Sequence, residues 1–413
     1  MKKGCSSVVR TRNDRFTQFN LRQVLLLVAL VSVLLGIVTP RIRRTFDEWR
    51  QDEEAERLAT AGADLITAVR TNDVALARQA LEAGATPDFN AEIFGGSGET
   101  RLLCACILKG QVEMMELLLD YAADVEHIDG LPSMPVRLVL GPVLSGPPLF
   151  AAAGCDQPPE VRSKMIRLLV QRGADPQRRV GGYGKVPRYT LMDVAFHLSD
   201  AQTGDLLREY GLPYGPREMA AFNRLDELKS AVQENPEILK ERFRYAWAGP
   251  GPTLLAIALR QGYREMSVFL IESGAPLDTL VYSGASLLHE AAEGGDPELV
   301  RLLLKRGLDV DATDAFSNTP LIRAVWHEKQ QAVAALLEAG AEVNHAESDG
   351  RTALRGAIWN DRIDIVRMLL DAGAEPTLPD VKGETPLDLA RTRSPKIAEL
   401  LEQIAWPQCQ IGL

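Results

Sequence analysis

The sequence predicts an all-α fold: a solenoid of helix-turn-helix units joined by hairpin loops, preceded by one transmembrane helix. Three observations predict it. Thr253, Ser286, Thr319, Thr352 and Thr385 stand 33 residues apart, and so do Gly274, Gly307, Gly340 and Gly373. Each interval holds two apolar-periodic runs of about 8–10 residues, too short to bury an apolar face alone, so neighbours must stack. Near the N-terminus, Val24–Val38 is almost continuous Leu, Val, Ile and Ala, broken by Ser32 and Gly36. The 413 residues suit a repeat array, and 46% apolar with 25% charged residues is the mix of a folded chain.

Residues 1–20 form a basic tail. Residues 1–50 carry ten Lys/Arg against three acids, whereas the whole chain has a net charge of −10, leaving −17 for the remainder. An acidic body repels phosphate backbones, which argues against nucleic acid as a partner. Residues 21–39 read as the anchor. There is no charge from Gln23 to Pro40; counted from Leu21, the apolar stretch is 18 residues, about 27 Å as a helix. Asn20 can cap its start and Pro40 stops it. A cleaved signal peptide is the rival reading, but Gly36-Ile-Val-Thr-Pro40 lacks a small-x-small cleavage pattern. The phrase Phe19-Asn-Leu-Arg-Gln-Val-Leu-Leu-Leu-Val-Ala-Leu-Val resembles an anchor found on many bacterial membrane proteins, implying a bacterial single-pass protein. Six Lys/Arg precede the span and five follow closely, so the positive-inside count leans only slightly toward a cytoplasmic N-terminus with the body outside.

Residues 40–58 read as an amphipathic connector helix, with Ile42, Phe46 and Trp49 at spacings of four and three. Trp49 is placed either at the lipid interface or against the first repeat. From 59 to 250 the repeat is drifted and carries insertions. Its units read Asp64–Pro87, Thr100–Val125 (with Ala122 where Gly is expected), Pro148–Pro176 (with an insertion at Cys155–Glu160), Thr190–Pro213 and Met219–Leu239. His127–Gly146 and Arg178–Arg188 interrupt them as loops. From 251 to 405 the repeat is regular and closes with a cap read as truncated at Leu401.

The regular units repeat their text: Ser286-Leu-Leu-His-Glu-Ala-Ala, Thr319-Pro-Leu-Ile-Arg-Ala-Val, Thr352-Ala-Leu-Arg-Gly-Ala-Ile, Thr385-Pro-Leu-Asp-Leu-Ala. Thr-Pro supplies a capping hydroxyl and a first-turn Pro; the Gly after each second run tolerates a left-handed C-terminus. This text resembles the ankyrin repeat, closely after residue 250 and more loosely from 60. The resemblance implies about ten units whose first helices and hairpin tips line a concave binding surface, with His289 tying neighbouring loops.

The search for chemistry finds little. There is no HExxH, no GxSxG elbow and no zinc spacing among Cys5, Cys104, Cys106, Cys155 and Cys409. Buried small hydrophobes are the better reading of these cysteines. Gly181-Gly-Tyr-Gly-Lys185 lacks the Walker spacing. The expectation is a non-enzyme without cofactor or metal, acting as a membrane-tethered scaffold for a protein partner. A sensory or regulatory module and an enzyme hidden in the drifted half are the alternatives. By repeat alignment, the seventh position after each opening Thr/Ser is Arg260, Glu293, Trp326 and Trp359, and the resemblance faces it to the groove. Exposed Trp is enriched at binding hot spots. The expected patch is Trp326 and Trp359 with Arg260, Glu293, Arg323, His327, Asn360 and Arg393, extended by Phe316 at a hairpin tip. The competing reading lays one or both indoles flat over the neighbouring repeat.

Overall fold

The structure, a computed structural model, describes residues 40–88, 90–91, 100–126, 147–180, 189–243 and 251–405. The tail, the anchor 21–39, the loop 127–146 and Gly181–Lys185 lie outside these residues, as do Cys5, His127 and Cys409. No helix among the described residues is long and apolar enough to cross a membrane.

Among the described residues, twenty α-helices follow one another in ten pairs. The drifted pairs are α1 (Pro40–Thr71) and α2 (Val74–Glu82), α3 (Leu102–Lys109) and α4 (Val112–Asp120), α5 (Pro148–Gly154) and α6 (Pro159–Gln171), α7 (Leu191–His197) and α8 (Ala201–Glu209), α9 (Pro216–Ala221) and α10 (Leu225–Glu234). The regular pairs are α11 (Leu254–Arg260) and α12 (Arg264–Glu272), α13 (Leu287–Gly294) and α14 (Pro297–Lys305), α15 (Pro320–Trp326) and α16 (Gln330–Glu338), α17 (Ala353–Trp359) and α18 (Ile363–Asp371). The last pair is α19 (Pro386–Arg393) and α20 (Pro395–Ala405). They fall into two compact units, one within Met1–Cys106 and Gln111–Asp124, the other within Ile107–Gly110 and Val125–Leu413.

In the first unit α1 departs from the sequence reading. The connector 40–58 is not a separate helix: α1 runs unbroken for 32 residues into the first pair. Gly62 costs an exposed helix only about 1 kcal/mol, and the break comes at Asn72, whose φ is +60°. Residues 50–60 are exposed on every side, so this stretch buries no apolar stripe. Burial begins at Ala61 and continues through Leu65, Ala68 and Val69, opposite Ala77, Ala80 and Leu81 of α2. Ala122 adopts φ +63° where the regular units place Gly, a conformation costing a side chain about 1 kcal/mol. One small departure from an all-helical chain is a two-residue antiparallel pair, β1 (Asn90–Ala91) with β2 (Thr100–Arg101).

In the second unit the first helices of successive pairs stack in a row, α9 on α11, then α13, α15, α17 and α19, and the second helices α12, α14, α16 and α18 form a second row. Repeated leucines make the core: Leu254, Leu287, Leu288, Leu321, Leu354 and Leu387 are buried. The opening hydroxyls cap as their spacing predicts. Thr253 accepts from the Ala256 amide at 3.3 Å, Thr319 from Ile322 at 3.3 Å and Thr385 from Asp388 at 3.1 Å. Two depart: Ser286 bonds the His289 ring at 2.9 Å instead, and the Thr352 hydroxyl is buried without a hydrogen-bond partner. Gly274, Gly307, Gly340 and Gly373 take φ between +84° and +90°, which explains Gly at that period. The second helix of the final pair runs four residues past Leu401, to Ala405, and Ile397, Ala398 and Leu401 bury its inner face.

Hairpins between the regular pairs are tied in series by backbone bonds: Ala315 donates to Ser283 at 2.6 Å, Ser348 to Phe316 at 3.0 Å and Val381 to Asp349 at 3.2 Å. Two of these hairpins are braced from within by a carboxylate. The Asp314 carboxylate accepts from the amides of Phe316 and Asn318, both at 2.9 Å, and Asp380 accepts from Lys382 and Glu384 at 2.8 and 3.0 Å.

Candidate functional site

The 33-residue period stacks equivalent side chains on the row of first helices. Position seven of one unit meets position four of the next. In the first such meeting the Arg260 guanidinium lies 2.7 Å from Glu290, with Glu293 3.6 Å away. In the second the charges are reversed: Glu293 accepts from Arg323 at 3.3 Å, and Arg323 also donates to Asp314 in the adjoining hairpin at 3.1 Å. In the third the pair is Trp326 over Gly356. A β-carbon at Gly356 would lie 3.5 Å from the indole, in ordinary contact. In the fourth Trp359 faces the last unit and is 48% exposed.

Electrostatics separate the members of this row. Burial raises the Glu290 carboxyl above its ordinary range, against the lowering pull of Arg260. Burial alone would also raise Asp314, but hydrogen bonds from Asn318, Phe316 and Arg323 outweigh it and hold that carboxyl below the carboxylate range. His327 lies 3.6 Å from Glu293. Burial lowers its imidazole against the raising pull of the Glu293 carboxylate, with Arg323 adding to the lowering.

Position eight closes the ends of the neighbouring first helices. Asn360 donates to the Trp326 carbonyl at 3.2 Å, and Arg393 donates to the Trp359 carbonyl at 3.1 Å. The equivalent Gly294 approaches so closely that a β-carbon there would fall 2.0 Å from the Leu259 carbonyl oxygen. Arg393 also stacks its guanidinium 4.1 Å from the centroid of Trp359, a cation–π contact of about 0.5–1 kcal/mol at an exposed site.

The expected patch therefore divides. Arg260, Glu293, Arg323 and His327 come together as a charge network. Trp359, Asn360 and Arg393 gather one to two units further on. Phe316 stands at its hairpin tip, 60% exposed. The indoles do not share one environment: Trp326 is mostly covered by the next unit, while Trp359 is open. Glu290, Asp314 and Gly356 were missed. Their signal was present as opposite charges 30 residues apart, Arg260 with Glu290 and Glu293 with Arg323, the offset between position seven and the next position four.

Three further features are structural. His289 bonds the Ser286 hydroxyl at 2.9 Å and the Asn318 carbonyl at 2.9 Å, tying one hairpin to the next helix. Two units on, Arg355 occupies the same position and pairs with Glu384 at 2.5 Å and Asp380 at 3.3 Å. Cys104, Cys106 and Cys155 are buried, and burial pushes the Cys155 thiol up to about 11. In the drifted part, Arg217 bridges Asp193 and Glu218. His197, desolvated by burial and beside that guanidinium, is lowered to about 4. No group of three or more His, Cys, Asp or Glu that could hold a metal occurs among the described residues.

Residues 219–314 and 288–380 match the family described as ankyrin repeats (3 copies), and residues 97–130 match a single ankyrin repeat. The chain carries ankyrin repeats. The similar proteins point the same way. A putative ankyrin repeat-containing protein of Treponema pallidum is 41% identical over 76 residues, 18% of this chain and 26% of that protein. Protein fem-1 homolog A-like of Mus musculus is 35% identical over 74 residues, 18% of this chain and 11% of the relative. Protein phosphatase 1 regulatory subunit 27 of Mus musculus is 37% identical over 73 residues, 17% and 47% respectively. The chain thus spans less than half the length of each of these relatives. The two three-copy matches together cover the charge network and Trp359.

Proposed function

We propose that this ankyrin-repeat chain is a membrane-tethered scaffold for protein interaction. In this reading the row of first helices and hairpins in residues 251–405 forms the partner surface, and residues 59–250 space it from the anchor at 21–39. The single observation that carries the binding role is Trp359: a large indole, nearly half exposed, oriented by the stacked Arg393. An aromatic side chain held rigid at the surface contributes contact area at low entropic cost, as interface anchors do. Asn360 follows it in the chain, Phe316 adds a second exposed aromatic ring at a hairpin tip, and the network from Arg260 to His327 supplies a polar flank. The name of one relative, a phosphatase regulatory subunit, agrees with binding rather than catalysis. The tether rests on the uncharged run Gln23–Pro40, which leaves a cytoplasmic N-terminus with the repeats outside as the favoured orientation.

Affinity capture with the full chain and with Trp359→Ala tests the site. Proteins retained by the parent chain are expected to be lost with the variant, while the melting temperature stays within about 1 °C. Unchanged capture overturns the site. Alkaline extraction of membranes tests the tether: an anchored chain stays in the pellet, and release into the supernatant overturns it. Protease accessibility on intact membranes then fixes the side.

A further inference from the structure

The hairpin edge differs chemically from the helices it caps. Its exposed large hydrophobic side chains are Leu280 (51%), Phe316 (60%) and Val381 (70%). They stand on hairpins tied in one row by the backbone bonds described above. Around them the four hairpins 275–285, 308–318, 341–351 and 374–384 carry ten carboxylates against Arg351 and Lys382, a net −8. The arginines nearby are engaged. Arg351 pairs with Glu347 and Asp349, Arg323 with Glu293 and Asp314, and Arg355 with Asp380 and Glu384. Arg323 and Arg355 reach from the first helices to the hairpins, so helix row and hairpin edge present one continuous face.

We propose that this face takes an extended, basic peptide segment whose large apolar side chains seat against Phe316 and its neighbours. The inference rests on the scaffold reading and names the class of its partner. An acidic segment would meet carboxylates with few cations left to pair it, a like-charge juxtaposition that selects against such a partner. A basic one gains long-range attraction and keeps the apolar contacts. Length agrees as well. Packed helices lie about 10 Å apart, so the row of hairpins from Leu280 to Val381 covers about 30 Å. That is the reach of about nine extended residues.

The test is a display selection of random linear peptides against the full chain in detergent. Winning peptides are synthesised and titrated by fluorescence anisotropy against the parent chain, Phe316→Ser, Trp359→Ala and the pair Glu342→Gln/Asp349→Asn. These carboxylates are 64% and 60% exposed, so both substitutions leave the core intact. Net-positive peptides bearing at least one aromatic or large aliphatic residue are expected to win. Phe316→Ser should weaken binding about tenfold. The charge pair should weaken it severalfold at low salt and hardly at all at high salt, where screening removes the difference. Neutral or acidic winners whose binding still depends on Trp359 overturn the basic-peptide assignment and leave the scaffold surface standing. Failure to enrich any peptide, or binding indifferent to both Phe316 and Trp359, overturns both.

Discussion

The two ends of one helix row solve the same packing problem with opposite chemistry. Between α11 and α15 the contact of position seven with position four is an ion pair, Arg260 with Glu290 and then Glu293 with Arg323. Between α15 and α17 it is an indole over a bare glycine backbone. The ion pairs hold four long side chains in fixed partners, which leaves that stretch with little to offer a ligand. The aromatic end satisfies its packing with one tryptophan, and the next stays open. Paired and open side chains are thus separated along the row, although the residues look equivalent in the repeat alignment.

That contrast breaks most readily at Trp326. If it is a packing residue, Trp326→Ala should cost about 3 kcal/mol, read as a shift of the urea midpoint with the slope unchanged. Trp359→Ala should cost well under 1 kcal/mol. Equal losses at both positions would erase the distinction between the indoles and restore the paired patch.

A smaller effect sharpens the charged end. Arg323→Ala leaves Glu293 and Asp314 without their shared cation and should cost about 2 kcal/mol at pH 7. The effect should depend on pH in a defined direction. The folded Asp314 carboxyl titrates below its unfolded value, so its contribution is present above the ordinary carboxylate pKa and is lost as pH falls through the folded one. The gap between parent and Arg323→Ala should therefore shrink below about pH 4. A gap independent of pH would mean that Arg323 acts by packing alone.

Most of the fold was legible because the period writes the same local physics repeatedly: a capping Thr, a buried Leu and a left-handed Gly at each 33-residue step. Legibility failed where local rules gave way to tertiary ones. The connector boundary was misplaced because nothing in the sequence near 58 stops a helix, and Pro40–Thr71 runs on until Asn72 turns. The end of the cap was set at Leu401, four residues before the helix ends at Ala405, because no stop signal stands between them. At the site, reading each column alone placed Arg260, Glu293, Trp326 and Trp359 in one patch. Reading two columns together, at an offset of 30, would have paired the charges and exposed Gly356 as the seat of Trp326.

The smallest effect tests whether the two chemistries are interchangeable. Trp326→Glu with Gly356→Arg transplants the Glu293–Arg323 pairing one unit along. The slot at position four already holds Glu290 and Arg323 in the preceding units, and an arginine at 356 would stand beside the hairpin that precedes its helix, as Arg323 does beside Asp314. Each single change should destabilise the chain, the first by removing the indole and the second by inserting a cation against it. Together they should recover about 1 kcal/mol of the summed loss, measured as the coupling in a double-mutant cycle. Coupling near zero would show that the ion pairs depend on more than their register, and the carboxylate of Asp314, which Glu347 replaces one unit later, would then be the next residue to transplant.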